Sequence, residues 1–273
     1  MMRKLATSLV LSCIAFTSVN ATADQLDTVI QRGTLNCGVV LDFPPMGYFD
    51  ANNQPAGFDV GYCNDLAAAL GVESNILNLT WGDRIPSLIS GKTDVVIGST
   101  SDTLERAKSV GFTYPYFVFK FQVIASKDKN IQSFDDLENL KVGAALGTTY
   151  ETEYLAYAEK KGWGTDNYTA FKSENDAYLG LYQGKVDAVI STNTNIATKL
   201  QSAEFKDFAA GPFVPNYDDV VGLIAKRSEG AWIGYLNLFL VHQIRDGNMN
   251  THYNTYFGSD APADLIQSLR DNK

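Results

Sequence analysis

The chain has 273 residues, with 22 Lys and Arg against 31 Asp and Glu, a formal net charge of -9. That sign argues against nucleic acid or an anionic membrane as a main partner, because both repel an acidic surface. Small ligands respond to local charge and are not excluded.

Arg3 and Lys4 lead into the apolar run LATSLVLSCIAF and then ATA at residues 21–23. This pattern predicts a secretory signal spanning residues 1–23, cleaved to leave a chain that begins at Asp24 outside the cytoplasm. The run is short for a membrane span, and the residues around Cys13 make a poor lipidation motif. The roughly 250 residues that remain suffice for one large domain or two ordinary ones. Cys37 and Cys63 survive processing, and in an oxidising compartment such a pair reads as a disulfide worth roughly 3 kcal/mol. Two buried free thiols satisfy the sequence as well.

TLNCGVV (residues 34–40) predicts a buried strand, and FDVGYCNDLAAALGV (58–72) a helix with Val60, Cys63, Leu66, Ala67 and Leu70 on one face, stopped by Gly71. SNILNLTW predicts a strand, RIPSLISG a short helix and TDVVIGS another strand, so strand and helix alternate as in an α/β layer fold. FTYPYFVFKFQVIASK is extended by composition, and Pro115 opposes a helix there. A second α/β series follows: SFDDLENL, TYETEYLAYAEKKG and ENDAYLGLYQG as helices, KVGAAL and KVDAVIS as strands. VPNYDDVVGLIAKRS reads as a return strand, and GAWIGYLNLFLVHQIRDG as a strongly apolar helix ending at Gly247. Two α/β lobes joined near residues 117–123 and 214–222 form the economical arrangement, with a cleft between them.

Signatures of catalysis are sparse. No G-x-S-x-G elbow is present. SGKTD (90–94) imitates the tail of a phosphate loop, but the first glycine of that loop would fall on Pro86, which offers no N–H. His242 and His252 are ten apart without a companion at metal-ligand spacing, which argues against zinc. No cofactor is implied.

The stretch GSTSDTLERAK (98–108) places Ser99, Thr100 and Ser101 at a strand-to-helix junction. Asp102 or Thr103 caps the helix there, and Glu105 would complete a capping box with Asp102. Arg106 then sits in a first turn, where the helix dipole disfavours a cation. A bidentate grip on a carboxylate held among the hydroxyls would explain it. A salt bridge to Glu105 or Asp102 on a solvated face would explain it equally.

QPAGFDVGYCNDLAAALG, RIPSLISGKTDVVIGSTSDTLERAKSVGFTYPY, SFDDLENLKVGAALGTTYETEYL and YQGKVDAVIS occur in the order and spacing of the periplasmic solute-binding proteins of polar amino-acid ABC transporters, family 3. The sequence resembles that family over most of residues 26–258. The resemblance implies a two-lobed venus-flytrap fold: residues 24–118 and 219–273 forming lobe I, and 119–218 forming lobe II. It also implies a monomer that presents its closed, loaded form to a membrane permease. Arg106 matches the arginine that clamps a ligand α-carboxylate, Ser101 its hydroxyl helper, and Ser99 a carbonyl that meets the ligand amine. Thr148 and Thr149 match the amides of the second lobe that close on that carboxylate. Phe43 and Trp81 match aromatics that flank the ligand, though both also suit core packing.

Two departures bear on the ligand. Thr192 stands where many relatives carry the aspartate that pairs with the ammonium, so Asp42, Glu174 or Asp219 must serve instead, or the ligand has no amine. Arg84 stands where many have leucine and resembles the arginine that receives a side-chain carboxylate in binders of acidic amino acids. An arginine lying along its helix toward solvent is the other reading of that position. Together these features favour an acidic amino acid or small dicarboxylate. The resemblance also admits an enzyme on the same fold, such as a periplasmic cyclohexadienyl dehydratase, or a sensing module for a chemoreceptor.

Overall fold

The computed structural model describes residues 24–271. The expected signal segment and Cys13 lie outside the described residues. The chain opens with α1 (Gln25–Arg32), β1 (Thr34–Val39), the small hairpin β2 (Tyr48–Phe49) and β3 (Pro55–Ala56), α2 (Phe58–Leu70) and β4 (Glu73–Asn78). It continues through α3 (Arg84–Ile89), β5 (Val95–Ser101), the one-turn α4 (Leu104–Ala107) and β6 (Val110–Phe119). A second series comprises β7 (Phe121–Ser126), β8 (Val142–Ala145), α5 (Thr149–Lys161), β9 (Tyr168–Phe171), α6 (Glu174–Tyr182), β10 (Ala188–Thr192), α7 (Asn193–Leu200) and β11 (Phe208–Phe213). The chain then returns as β12 (Asp219–Lys226) and ends with α8 (Gly230–Arg245), α9 (Asn248–Phe257) and α10 (Ala263–Asp271).

Two five-stranded sheets result, ordered β4-β1-β5-β12-β6 and β11-β7-β10-β8-β9. In the first, β1 runs parallel to β4 and β5, while β12 is antiparallel to β5 and β6. In the second, β8 runs parallel to β9 and β10, and β7 is antiparallel to β10 and β11. Parallel strands need crossover helices on the sheet faces. Their buried, nearly continuous apolar runs, such as Val95, Val96 and Ile97, reflect cover on both faces.

The chain leaves the first sheet at Phe119 and enters the second at Phe121, so only Lys120 separates the two. It returns beside the same point: Val214 N–H donates to Phe121 O, and Asp219 pairs with Phe119. Two adjacent extended segments therefore connect the two sheets.

Cys37 on β1 and Cys63 on α2 form a disulfide, with Cα atoms 6.1 Å apart, tying the first helix to the first strand. Some expected elements differ. SFDDLENL forms only a 3-10 turn, Phe134–Leu137, because the Ser133–Asp136 capping box opens a segment too short to propagate. The apolar C-terminal helix ends at Arg245, and Gly247, at φ +80°, starts α9 instead of merely stopping α8. At α4 the cap is Thr103, whose hydroxyl accepts from Arg106 N–H; Glu105 pairs with Lys108, and the expected Asp102–Glu105 box does not form.

Candidate functional site

The ends of β1, β4, β5, β8 and β10 face one another across the interlobe cleft, where the loops after parallel strands ordinarily hold ligands. A small cavity lies there. Its floor is aromatic: Phe43, Trp81, Phe119, Phe121 and Tyr150. Its polar groups are Arg84, Ser99, Ser101, Thr148, Thr149, Thr192 and Asp219. Nine residues singled out by sequence therefore line one cavity, drawn from segments as far apart as 43 and 219.

Phe43 and Trp81 are both buried, with ring centroids 4.8 Å apart in an edge-to-face arrangement. Core packing and cavity lining turn out to be the same role, since the cavity is carved into the main apolar core. Phe119, Phe121 and Tyr150 were missed as lining residues. Sequence showed the first two as strand residues, but only the crossover turns them toward the cleft.

Arg106 reaches across the cleft. Its Nη1 donates to Thr149 Oγ1 at 2.9 Å and to Ser101 O at 3.3 Å, and its Nη2 donates to Gly147 O at 3.2 Å. Thr149 Oγ1 in turn donates to Ser101 Oγ at 2.7 Å. The solvated-face pairing with Asp102 or Glu105 is absent, and the guanidinium belongs to the lobe junction. Gly147, at φ +81°, makes the left-handed turn that lets this loop bring its carbonyl against the first lobe. Thr148 caps α5 by accepting from Glu151 N–H, so the N-terminal end of a 13-residue helix also points into the cleft.

Arg84 is 3% exposed, which removes the solvent-directed reading. Its guanidinium carbon lies 4.7 Å from the Trp81 ring centroid. Nε donates to Trp81 O, and Nη1 to the carbonyls of Gly98 and Ser99 at 3.0 and 2.9 Å. Nη2 makes one long contact, 3.4 Å to Gly147 O, and so retains donor capacity toward the cavity.

Asp219 is the acid of the cavity. It is 3% exposed, and its Oδ1 has no hydrogen-bond partner among the described residues. Burial pushes its carboxyl up to about 7, opposed by the Ser101 hydroxyl and by the guanidiniums of Arg106 and Arg84. Burial lowers both arginines, and Asp219 is the leading opposing charge for each.

The other two proposed acids go elsewhere. Asp42 accepts from Glu174 N–H at 3.0 Å, placing a first-lobe carboxylate on the N-terminus of α6 in the second lobe. Glu174 turns inward, accepts from Ser191 Oγ at 3.2 Å, and is driven well above the ordinary range by burial and by Asp42. Neither lines the cavity, because each is taken up by the contact between lobes or by the interior of one lobe. Thr192 lines the cavity but spends its hydroxyl capping α7, accepting from Asn195 N–H. Of the two histidines, His252 contacts Asp65 at 2.8 Å and His242 contacts Asp246 at 3.4 Å.

A two-lobed α/β molecule with a charged interlobe cavity already limits the candidates, and residues 35–259 match the bacterial extracellular solute-binding proteins, family 3. The chain belongs to that family. Among similar solute-binding proteins is the L-cystine-binding protein TcyJ of Escherichia coli strain K12, 28% identical over 251 residues, covering 90% of this chain and 92% of TcyJ. Among solved structures, the P235GK mutant of ArgBP from T. maritima superposes with a TM-score of 0.78 at 27% identity, covering 86% of this chain and all of that one. The ancestral amino acid-binding protein AncCDT-1, described as a precursor of cyclohexadienyl dehydratase, superposes at 0.75 with 29% identity, covering 86% and 100%. No helix among the described residues is long and apolar enough to cross a membrane.

Proposed function

We propose that this family 3 protein is the periplasmic binding component of an ABC uptake transporter, and that its solute is an α-amino acid with a second carboxylate. Residues 24–118 and 219–273 act as one lobe and 119–218 as the other, and the monomer delivers its closed form to a permease. The observation that carries the reading is a charge set: Arg84 and Asp219 line the cavity, and the Arg106 guanidinium, which bonds the lining residues Ser101 and Thr149, acts on the same carboxylate. That set is complementary to two carboxylates and one ammonium.

The α-carboxylate takes the place between Arg106, Ser101 and Thr149, replacing their direct contacts across the cleft. The ammonium meets Asp219, which supplies the charge that Thr192 lacks. The second carboxylate meets Arg84 Nη2. The relatives' names mention cystine and arginine, so the ligand is not inherited from likeness alone. A dehydratase is the second reading, favoured by the AncCDT-1 likeness and by a buried acid that titrates near neutrality.

The test is thermal unfolding of the chain from Asp24, stripped of carried ligand, with L-glutamate, L-aspartate, neutral and basic amino acids, and C4–C5 dicarboxylates. Ligand at a hundred times its Kd adds about 2.7 kcal/mol, which raises Tm by several degrees. A shift confined to the acidic amino acids is expected. A shift with dicarboxylates alone would remove the ammonium site. Release of carbon dioxide and water from a carboxylated cyclohexadienyl compound would move the protein to the enzyme class.

A further inference from the structure

Strand β5 does not run regularly to its end. Its pairing with β12 slips: Gly222 faces Thr100, but Ile224 faces Val96, so two residues of β12 span four of β5. The extra residues bulge out of the ladder. Ser99 within that bulge has φ +48°, a left-handed conformation that a residue with a Cβ adopts at a cost. The bulge frees the carbonyls of Gly98 and Ser99, and both accept from Arg84 Nη1.

A buried side chain outside the cavity holds this arrangement. Asp59, in the first turn of α2, is 1% exposed. One of its oxygens accepts from Tyr116 OH at 2.7 Å, and the other from Ser99 Oγ at 3.1 Å. Tyr116 OH also accepts from Ser99 N–H at 3.0 Å. Ser99 is therefore gripped at its amide and its hydroxyl by one closed triangle. Nothing in the packing of α2 alone calls for a carboxylate there, since its neighbours Phe58, Val60 and Tyr62 are apolar or aromatic and buried.

We propose that Asp59 is the positioning residue of Arg84: through Tyr116 and Ser99 it holds the β5 bulge whose two carbonyls fix the guanidinium at the cavity. Asp59 touches no ligand; it acts by determining where Arg84 Nη2 points. Only the binding arm of the test rests on the acidic-ligand reading.

The first arm needs no ligand. In ¹⁵N-labelled protein the Arg84 Nε–H resonance, identified by its loss in Arg84→Leu, exchanges slowly with solvent. Asp59→Asn and Tyr116→Phe each speed that exchange tenfold or more, while the Trp232 indole N–H, bonded to Asp94 O on another part of the lobe, keeps its rate. Unchanged Arg84 exchange in both folded variants overturns the proposal, as does equal acceleration at Trp232, which would mark a general loss of stability.

The second arm compares L-glutamate with L-glutamine by calorimetry. Asp59→Asn lowers the glutamate preference tenfold or more in the wild-type background and leaves it unchanged in Arg84→Leu. Additive losses overturn the positioning role. If Arg84→Leu itself leaves the preference unchanged, or if neither amino acid binds, the acidic-ligand reading fails and the exchange arm alone decides the role of Asp59.

Discussion

Replacing Asp219 by asparagine keeps the shape of the side chain and removes the one negative charge in the cavity. An ammonium paired with a buried carboxylate loses about 2–5 kcal/mol when that partner is removed, much of it the cost of leaving the charge unpaired. Kd for an amino-acid ligand should therefore rise roughly 30- to 5,000-fold. The wild-type protein carries an internal check, because the Asp219 carboxyl sits near 7 before the ligand arrives. An ammonium needs the ionised form, so apparent affinity scales with the ionised fraction. Between pH 8 and 5.5 that fraction falls by about thirtyfold, and Kd should rise by the same factor. A side-chain carboxylate near 4.3 keeps its charge across this window. In Asp219→Asn the slope disappears. A dicarboxylate without an amine should show the opposite sign, binding more tightly at low pH as the repelling carboxylate is protonated. Isothermal titration calorimetry of the stripped protein in buffers of different ionisation enthalpy measures both Kd and proton release. A flat wild-type profile, or an asparagine variant within threefold of wild type at pH 8, would refute the pairing of Asp219 with an ammonium.

Arg106→Ala should abolish binding while leaving far-UV circular dichroism unchanged; affinity retained within tenfold would remove the carboxylate clamp from Arg106. Asp42→Ala removes a cross-lobe helix cap, so affinity should fall by about 0.5–2 kcal/mol, equally for every ligand bound; a change in ligand preference would place Asp42 in the site after all. Asp59 and Asp219 both have folded-state carboxyls raised above the unfolded value, to about 8 and about 7. Their contribution to ligand-free stability is fully present below about 4 and lost as pH rises through those values, so urea midpoints should decline from pH 5 to 8 and the decline should shrink in Asp219→Asn. The native chain from Asp24 should take up no thiol reagent, and reducing Cys37–Cys63 should cost roughly 3 kcal/mol of stability; two labels per native chain would exclude the bond.

Strand and helix alternation, glycine stops and the aromatic crossover were legible because local period and turn chemistry report on the backbone within one element. The SFDDLENL segment misled because a good cap says where a helix starts and little about how far it runs. The family motifs carried the residues of the cavity as a set. Ser101, Thr149, Arg84 and Phe43, which line it, and Arg106 beside it could all be named before any coordinates, because their motifs resemble those of the family.

Which acid serves the cavity was decided only in three dimensions. Asp42, Glu174 and Asp219 are equivalent candidates in one dimension, each in a loop or element end beside the cleft. Tertiary structure sends the first to the end of α6, turns the second into its own lobe and leaves the third between two guanidiniums. Asp59 was likewise invisible, an acid in a helical run whose partners lie 40 and 57 residues further along the chain. Periodicity records which face of an element is buried, because burial is a property of one segment and its solvent. Charge pairing is a property of two segments at a distance, and only the folded chain brings them together.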